Sequence, residues 1–175
     1  MNDADEIVIR SMDDQLILAG SNPRSVLFAV YTYLDTLGFA WIVPGEDGEI
    51  VPRLKSPILE NYDFRHRASL HYRGFALAGA YNVAMGEEFV EWMARNRFNH
   101  LFIEGQSAQT RYEQALNRRV PLAEAKRYDR KIIRAAKKRG LRFENVGHGW
   151  TAWTLGFAPE AKNKQLSDEY RQLAA

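Results

Sequence analysis

The sequence predicts an α/β protein in two parts, a small α+β domain in residues 1–60 and a parallel β/α segment in residues 69–175. Apolar residues recur at the spacing of strands and helices, and residues that start or stop helices separate these runs. In the second part, strands alternate with helices, as they do in parallel β/α units. Hydrophobic residues make up 46% of the 175 residues, which is typical of a folded chain rather than a disordered one.

Composition also excludes several kinds of site and partner. The chain has no cysteine, so disulfides, zinc-thiolate sites and a cysteine nucleophile are excluded. A formal net charge of +2 gives no reason to expect a nucleic acid or an anionic membrane as partner. No apolar run approaches the roughly 20 residues that span a bilayer, and the polar, acidic start does not resemble a signal peptide. We expect a cytoplasmic protein, or a secreted or periplasmic one if a leader precedes this sequence.

The first domain is predicted to be a ββαβ unit. Strands at 7–9 and 15–20 precede a helix that Asn22 caps, with Pro23 at its first position. Gly38 ends the helix because glycine adopts the left-handed conformation without strain. The inward stripe of this helix is predicted to be Leu27, Val30, Tyr31, Leu34 and Leu37. A strand at 39–43, an edge segment at 49–52 and a connector over 53–69 follow.

The second part is predicted to contain three strands, at 71–77, 100–103 and 141–146. A helix around Phe89 joins the first two, and a helix that begins at Pro121 precedes the third. The polar stretch 106–120 is predicted to be a loop that holds at most a helical turn. A complete TIM barrel takes about 250 residues, and about 105 remain after the connector. The pattern therefore predicts an incomplete barrel of about three β/α units of eight.

Candidate functional residues lie on or directly after these strands and are assigned to their carboxyl ends, because function collects there in parallel β/α folds. An arginine can bind hydroxyls or a carboxylate through its planar fork. A histidine beside a carboxylate can orient an acid or accept a proton, and tryptophans can stack on the C–H face of a sugar. The candidates are His148 and Glu144 for catalysis, and Arg73, Glu104, Trp150 and Trp153 for substrate binding.

Each candidate also has a structural interpretation. Arg73 can be one half of an ion pair, and the two tryptophans can be core residues. His71 and His100 lie on predicted strands, where a hydrogen-bonded core histidine is the commoner case. The many cations of residues 126–139 indicate a solvated helix face. His100, Glu104 and His148 match no metal-ligand spacing, so neither a metal nor a cofactor is expected.

Several segments resemble parts of family 20 hexosaminidases and family 67 α-glucuronidases. Residues 17–24, 30–34 and 38–41 are similar to the small domain that precedes the barrel in these enzymes. His71-Tyr72-Arg73-Gly74 resembles their first barrel strand, and residues 92–101 resemble their first helix running into the second strand. Residues 132–141 with Gly147-His148 resemble the helix, third strand and Gly-His ending of the hexosaminidases.

The resemblance implies part of a glycoside hydrolase that acts on a carbohydrate containing a hexosamine or a uronic acid. Arg73 would contact sugar hydroxyls, and His148 would support the catalytic carboxylates. The catalytic Asp-Glu pair of the hexosaminidases ends the fourth strand, so it is expected beyond residue 175 and this segment alone is expected to be inactive. The chain departs from the family at Ala78 and Glu144, where the family has aspartate.

Two other readings of the sequence remain open. One is a non-catalytic carbohydrate-binding module that uses Trp150, Trp153 and Arg73. The other is a complete small α/β interaction protein that shares only local patterns with the hydrolases. An incomplete barrel would leave an unpaired strand edge, so a homo-oligomer that covers this edge is a further expectation.

Overall fold

The computed structural model describes residues 4–56, 61–77, 86–104 and 108–146, which form a mixed α/β structure. The strands are β1 Glu6–Met12, β2 Gln15–Gly20, β3 Ala40–Trp41, β4 Glu49–Ile50, β5 Asp63–Arg67, β6 Gly74–Leu77, β7 His100–Glu104 and β8 Arg142–Val146. The helices are α1 Pro23–Thr36, α2 Gly86–Arg95, α3 Ala108–Leu116 and α4 Leu122–Lys138, and a 3₁₀ turn covers Glu46–Gly48. No helix in these ranges is long and apolar enough to cross a membrane.

The first sheet is antiparallel, with the strand order β2-β1-β5. The predicted strands at 7–9 and 15–20 are confirmed as β1 and β2. The prediction of an irregular connector is wrong at 63–67, because β5 pairs with β1 and places Phe64 opposite Ile9. Alternating charges in β5 obscured the strand in the sequence. Four of its five residues are exposed, and Phe64 is the partly buried one that packs on the core.

Helix α1 begins as predicted, since the Asn22 side chain accepts a hydrogen bond from the Ser25 amide at 2.9 Å. The predicted single apolar stripe is wrong. Phe28, Ala29 and Tyr33 are buried against the first sheet, whereas Leu27 and Tyr31 pack against the core of the second part. The helix lies between two layers and needs two apolar faces, so a one-stripe analysis finds only part of its buried surface.

The predicted strands at 39–43 and 49–52 are shorter than expected, because only the two-residue strands β3 and β4 pair. A hydrogen bond from the Ile42 amide to the Gly48 carbonyl closes the connecting turn at 2.8 Å. Pro44 and Pro52 lack an amide hydrogen and cannot extend the ladder.

The second sheet is parallel, with β6, β7 and β8 adjacent in chain order. Its register places Gly74, His100 and Arg142 side by side at the amino edge. Helices α2 and α4 pack on one face of this sheet, where Leu101 and Ile103 are almost fully buried. The predicted alternation of strands and helices is therefore confirmed, although β6 begins at Gly74 rather than at residue 71.

The prediction of a loop over residues 106–120 is wrong, because helix α3 occupies residues 108–116. Helix α3 packs against α4 through Tyr112, Val120 and Ala125, all buried. Arg111 pairs with Asp129 at 3.0 Å, and the Tyr112 hydroxyl donates to the same carboxylate at 3.1 Å. Burial, together with the nearby charge of Asp129, raises the pKa of Tyr112.

Candidate functional site

The structure describes three of the six residues that the sequence singled out. His148, Trp150 and Trp153 lie outside the described residues. Glu104 is the last residue of β7, and Glu144 is the third residue of β8. Arg73 directly precedes β6. The carboxylates thus lie in the middle and at the carboxyl end of the parallel sheet, whereas Arg73 lies at its amino end.

The expectation that Arg73 sits at the carboxyl end of a strand is therefore wrong. Its guanidinium donates hydrogen bonds to the carbonyls of Arg97 at 3.0 Å and Leu70 at 2.7 Å. The third donor reaches the Asp5 carboxylate at 2.5 Å. Because Arg73 donates to acceptors from three different segments, it holds these segments together. The Arg-Gly pair thus joins the two sheets at the edge opposite to the one where parallel β/α proteins carry their chemistry.

Asp5 is the centre of this junction, and its carboxylate is only 3% exposed. It accepts hydrogen bonds from Arg24 at 3.0 Å, Ser25 at 2.8 Å and Asn99 at 3.0 Å in addition to that from Arg73. Burial alone would raise the pKa of Asp5, but the bonds from Arg73, Ser25 and Arg24 and the charge of Arg24 outweigh it and lower this pKa to about 2. Nothing in the local sequence pattern marked Asp5, because its partners come from distant segments.

The face of the parallel sheet that no described helix covers carries Glu144 and His100. Side chains alternate along a strand. Phe143 packs with the helices, and the Glu144 side chain is 55% exposed on the other face. The Nε2 atom of His100 lies 3.4 Å from a Glu144 carboxylate oxygen. His100 was expected to be a core histidine, and its side chain is indeed mostly enclosed. The pairing of β7 with β8 also brings His100 next to Glu144, a predicted catalytic residue.

Tyr72 and Arg142 extend this group along the same face. The Arg142 guanidinium donates to the Tyr72 hydroxyl at 2.8 Å, and its central carbon lies 5.0 Å from the centre of the Tyr72 ring. The Tyr72 ring is 5.6 Å from that of His100. The sequence analysis missed both residues, although the alternation of Arg142 and Glu144 along β8 was a signal that could have found Arg142. We refer to Tyr72, His100, Arg142 and Glu144 as the open-face group.

A cavity of about 870 Å³ lies at the amino edge of β6, between the first sheet, α1 and the segment after α2. Its walls include the apolar side chains of Phe28, Phe64 and Phe98 and the polar side chains of Asp35, Thr36 and Arg97. Asp35 and Arg97 form an ion pair at 2.5 Å, with about a third of each side chain exposed. No local sequence pattern predicts this cavity, because each of its walls comes from a different segment.

Arg97 has an unusual backbone conformation. Each of the four helices in the described ranges is followed closely by a residue with positive φ, namely Gly38, Arg97, Asn117 and Gly140. Glycine and asparagine adopt this conformation readily, whereas other residues are strained there by about 1 kcal/mol or more. A half-exposed ion pair contributes about 0–1 kcal/mol, so the pair with Asp35 does no more than offset the strain. Stability therefore does not explain why arginine stands at position 97.

The comparisons with protein families and with curated proteins do not indicate the chemistry of these residues. No protein-family model matches the sequence, and no curated protein matches it significantly. Within the described ranges, no three histidine, aspartate or glutamate side chains are grouped so that they could hold a metal ion. Among the described residues, the open-face group brings four polar side chains together on the parallel sheet, and the amino-edge cavity provides space for a ligand.

Proposed function

We propose that this chain is part of a glycoside hydrolase that acts on a carbohydrate containing a hexosamine or a uronic acid. The observation that supports it best is that the described helices cover only one face of the parallel sheet. Helices α2 and α4 cover one face, and Glu144 lies on the other face in contact with His100. Parallel sheets are normally covered on both faces. In a TIM barrel the strands close on themselves, so the face without helices becomes the interior.

The polar character of the open face favours an enzyme over a purely structural barrel. Barrel interiors are usually filled with branched apolar side chains, whereas here the open-face group brings together a carboxylate, an imidazole, a guanidinium and a phenol. A carboxylate beside a histidine can accept or deliver a proton. In this proposal Glu144 assists proton transfer, and Arg142 and Tyr72 form the floor below the sugar.

Glycoside hydrolysis needs a second carboxyl group, about 5–5.5 Å away for retention or about 6.5–9.5 Å away for inversion. Glu104 is the last residue of the neighbouring strand β7. It pairs with Val146, two residues beyond Glu144 on β8. Hydrolysis with retention uses a catalytic acid and a nucleophile. We propose that the residues that complete this pair lie after the carboxyl ends of the strands of this sheet. In the segment after β8, Trp150 and Trp153 remain proposed contacts to the sugar, and His148 remains a proposed support for the catalytic carboxylates.

The test is hydrolysis of aryl N-acetylhexosaminides and aryl glucuronides by the protein expressed from its full reading frame. We expect turnover of one of these two substrate classes. Glu144→Gln should lower kcat/KM by about 100-fold, as removal of a proton-transfer group does. Glu87→Gln is the matched control, since Glu87 is 60% exposed on α2, away from the open face. If the protein hydrolyses neither substrate class, the proposal is refuted.

A further inference from the structure

The amino-edge cavity meets the place where we propose glycoside hydrolysis at Tyr72, which lines the cavity and also belongs to the open-face group. It is lined by residues before β6 and after α2, so it opens at the amino edge of the parallel sheet. The proposed chemistry uses the open face, from His100 and Arg142 at the amino edge to the residues that follow the strands at the carboxyl edge. A volume of about 870 Å³ falls in the range of small-molecule sites, about 300–1,000 Å³. The cavity is therefore large enough for a ligand of its own.

The charges that line the cavity are balanced. Arg73 is held by Asp5, and Arg97 is held by Asp35. An anionic ligand would have to displace Asp35 from Arg97, and a cationic ligand would have to displace Arg97 from Asp35. A neutral ligand can instead accept a hydrogen bond from the guanidinium and donate one to the carboxylate while the pair stays intact. Charge balance thus favours an uncharged ligand with both donors and acceptors.

The remaining walls combine aromatic faces with hydroxyl groups. Phe64 and Phe98 are partly buried at the cavity wall, and Tyr72 is 54% exposed. The side chains of Thr36 and Ser69 are exposed beside them. Aromatic rings accept the C–H face of a pyranose, and charged pairs and hydroxyls accept its edge. Among uncharged ligands, a saccharide has this combination of an apolar face and a polar rim.

We propose that the amino-edge cavity binds a neutral saccharide, with Arg97 and Asp35 as its polar contacts. This assignment accounts for Arg97, which is strained where Gly38 and Gly140 are relaxed. Backbone strain in a residue that stability does not explain is typical of binding and catalytic sites. The backbone at position 97 directs the guanidinium to Asp35 at the cavity wall. The inference shares Tyr72 with the proposed hydrolase but uses neither Glu144 nor the carboxyl edge of the sheet.

The experiment is calorimetric titration of the full chain with cellobiose, N,N′-diacetylchitobiose and glucuronic acid. We expect at least one neutral disaccharide to bind more tightly than glucuronic acid. Arg97→Gly keeps a residue suited to positive φ and removes only the side chain, so the fold should persist while Kd rises about tenfold, the effect of losing one charged hydrogen bond. Thr36→Val tests the rim without changing charge, and its Kd should rise by a smaller factor.

Two controls separate this site from the proposed hydrolase. Glu144→Gln should leave binding of cellobiose unchanged, since cellobiose contains neither a hexosamine nor a uronic acid. Arg10→Ala removes an arginine that does not line the cavity from an exposed ion pair with Asp63. Amide NMR shifts on titration should concentrate at Thr36, Ser69 and Arg97. The proposal is overturned if no neutral disaccharide binds, if glucuronic acid binds as tightly, or if Arg97→Gly binds as well as the wild type.

Discussion

The imidazole of His100 occupies the space where a side chain on Gly74 would begin. A β-carbon built on Gly74 would lie 2.8 Å from the Nδ1 atom of His100 and 3.2 Å from its β-carbon and carbonyl oxygen. The two residues are direct neighbours across the parallel ladder. The glycine of the Arg-Gly pair is thus required by packing of the sheet, and it sets the position of the histidine that contacts Glu144.

Gly74→Ala should therefore destabilise the protein by about 1–3 kcal/mol, the usual cost of overpacking. Urea denaturation measures this cost. Gly74→Ala should cost less free energy of unfolding in the His100→Ala background than in the wild type, because the imidazole no longer opposes the new β-carbon. Equal effects of Gly74→Ala in both backgrounds would show that the ring is not what excludes a side chain at position 74.

The buried carboxylate of Asp5 should be the most sensitive single position in the described structure. Asp5→Asn leaves the guanidinium groups of Arg24 and Arg73 without their anion, and breaking a buried pair costs about 3–5 kcal/mol. The matched control is Asp63→Asn, whose partner Arg10 is exposed; loss of such a surface pair costs about 0–1 kcal/mol. Urea denaturation of both variants gives the comparison, and similar losses would contradict the central role of Asp5.

The same carboxylate should make stability depend on acid pH. Its folded-state pKa of about 2 lies below the ordinary value of 3.8. Its contribution is therefore fully present above about pH 4 and is lost as the pH falls toward 2. At 1.36 kcal/mol per pKa unit this amounts to about 2–3 kcal/mol. Unfolding free energies at pH 7, 4 and 2.5 should show the decrease in the wild type and a smaller one in Asp5→Asn. Parallel pH profiles would contradict this assignment.

Local patterns were sufficient for most of the secondary structure. The cap at Asn22 and the three parallel strands come from signals within a few residues of each other, and these predictions are confirmed. The errors arose where distant segments decide. Strand β5 is recognisable only from its pairing with β1, and α3 is stabilised by its packing on α4. Propensity alone is a weak guide in such places, because tertiary contacts override it.

The candidate sites were harder to predict than the fold. Arg73 was assigned to the carboxyl end of its strand, although the predicted strand at 71–77 already put it near the start and β6 begins one residue after it. Glu144 lies on an accessible face, but its neighbour His100 is on another strand and only the register brings them together. Asp35 and Arg97 meet across two layers. Single-sequence reasoning finds residue types suited to chemistry, whereas their grouping depends on the packing of elements that are distant in sequence.

The strain at Arg97 can be measured by comparing two variants that both remove the ion pair with Asp35. Arg97→Ala keeps a β-carbon at φ +61°, whereas Arg97→Gly removes it. The glycine variant should therefore be about 1 kcal/mol more stable than the alanine variant in urea denaturation.

Gly38→Ala provides the converse control, because φ is +92° there and the nearest atoms to a new β-carbon are 3.7 Å away. It should lose about 1 kcal/mol from backbone strain alone. If Arg97→Ala proved as stable as Arg97→Gly while Gly38→Ala showed the loss, the backbone at position 97 would accept any side chain. Arginine there would then need no compensating role, and the case for the amino-edge cavity as a binding site would rest on its charge balance and aromatic walls.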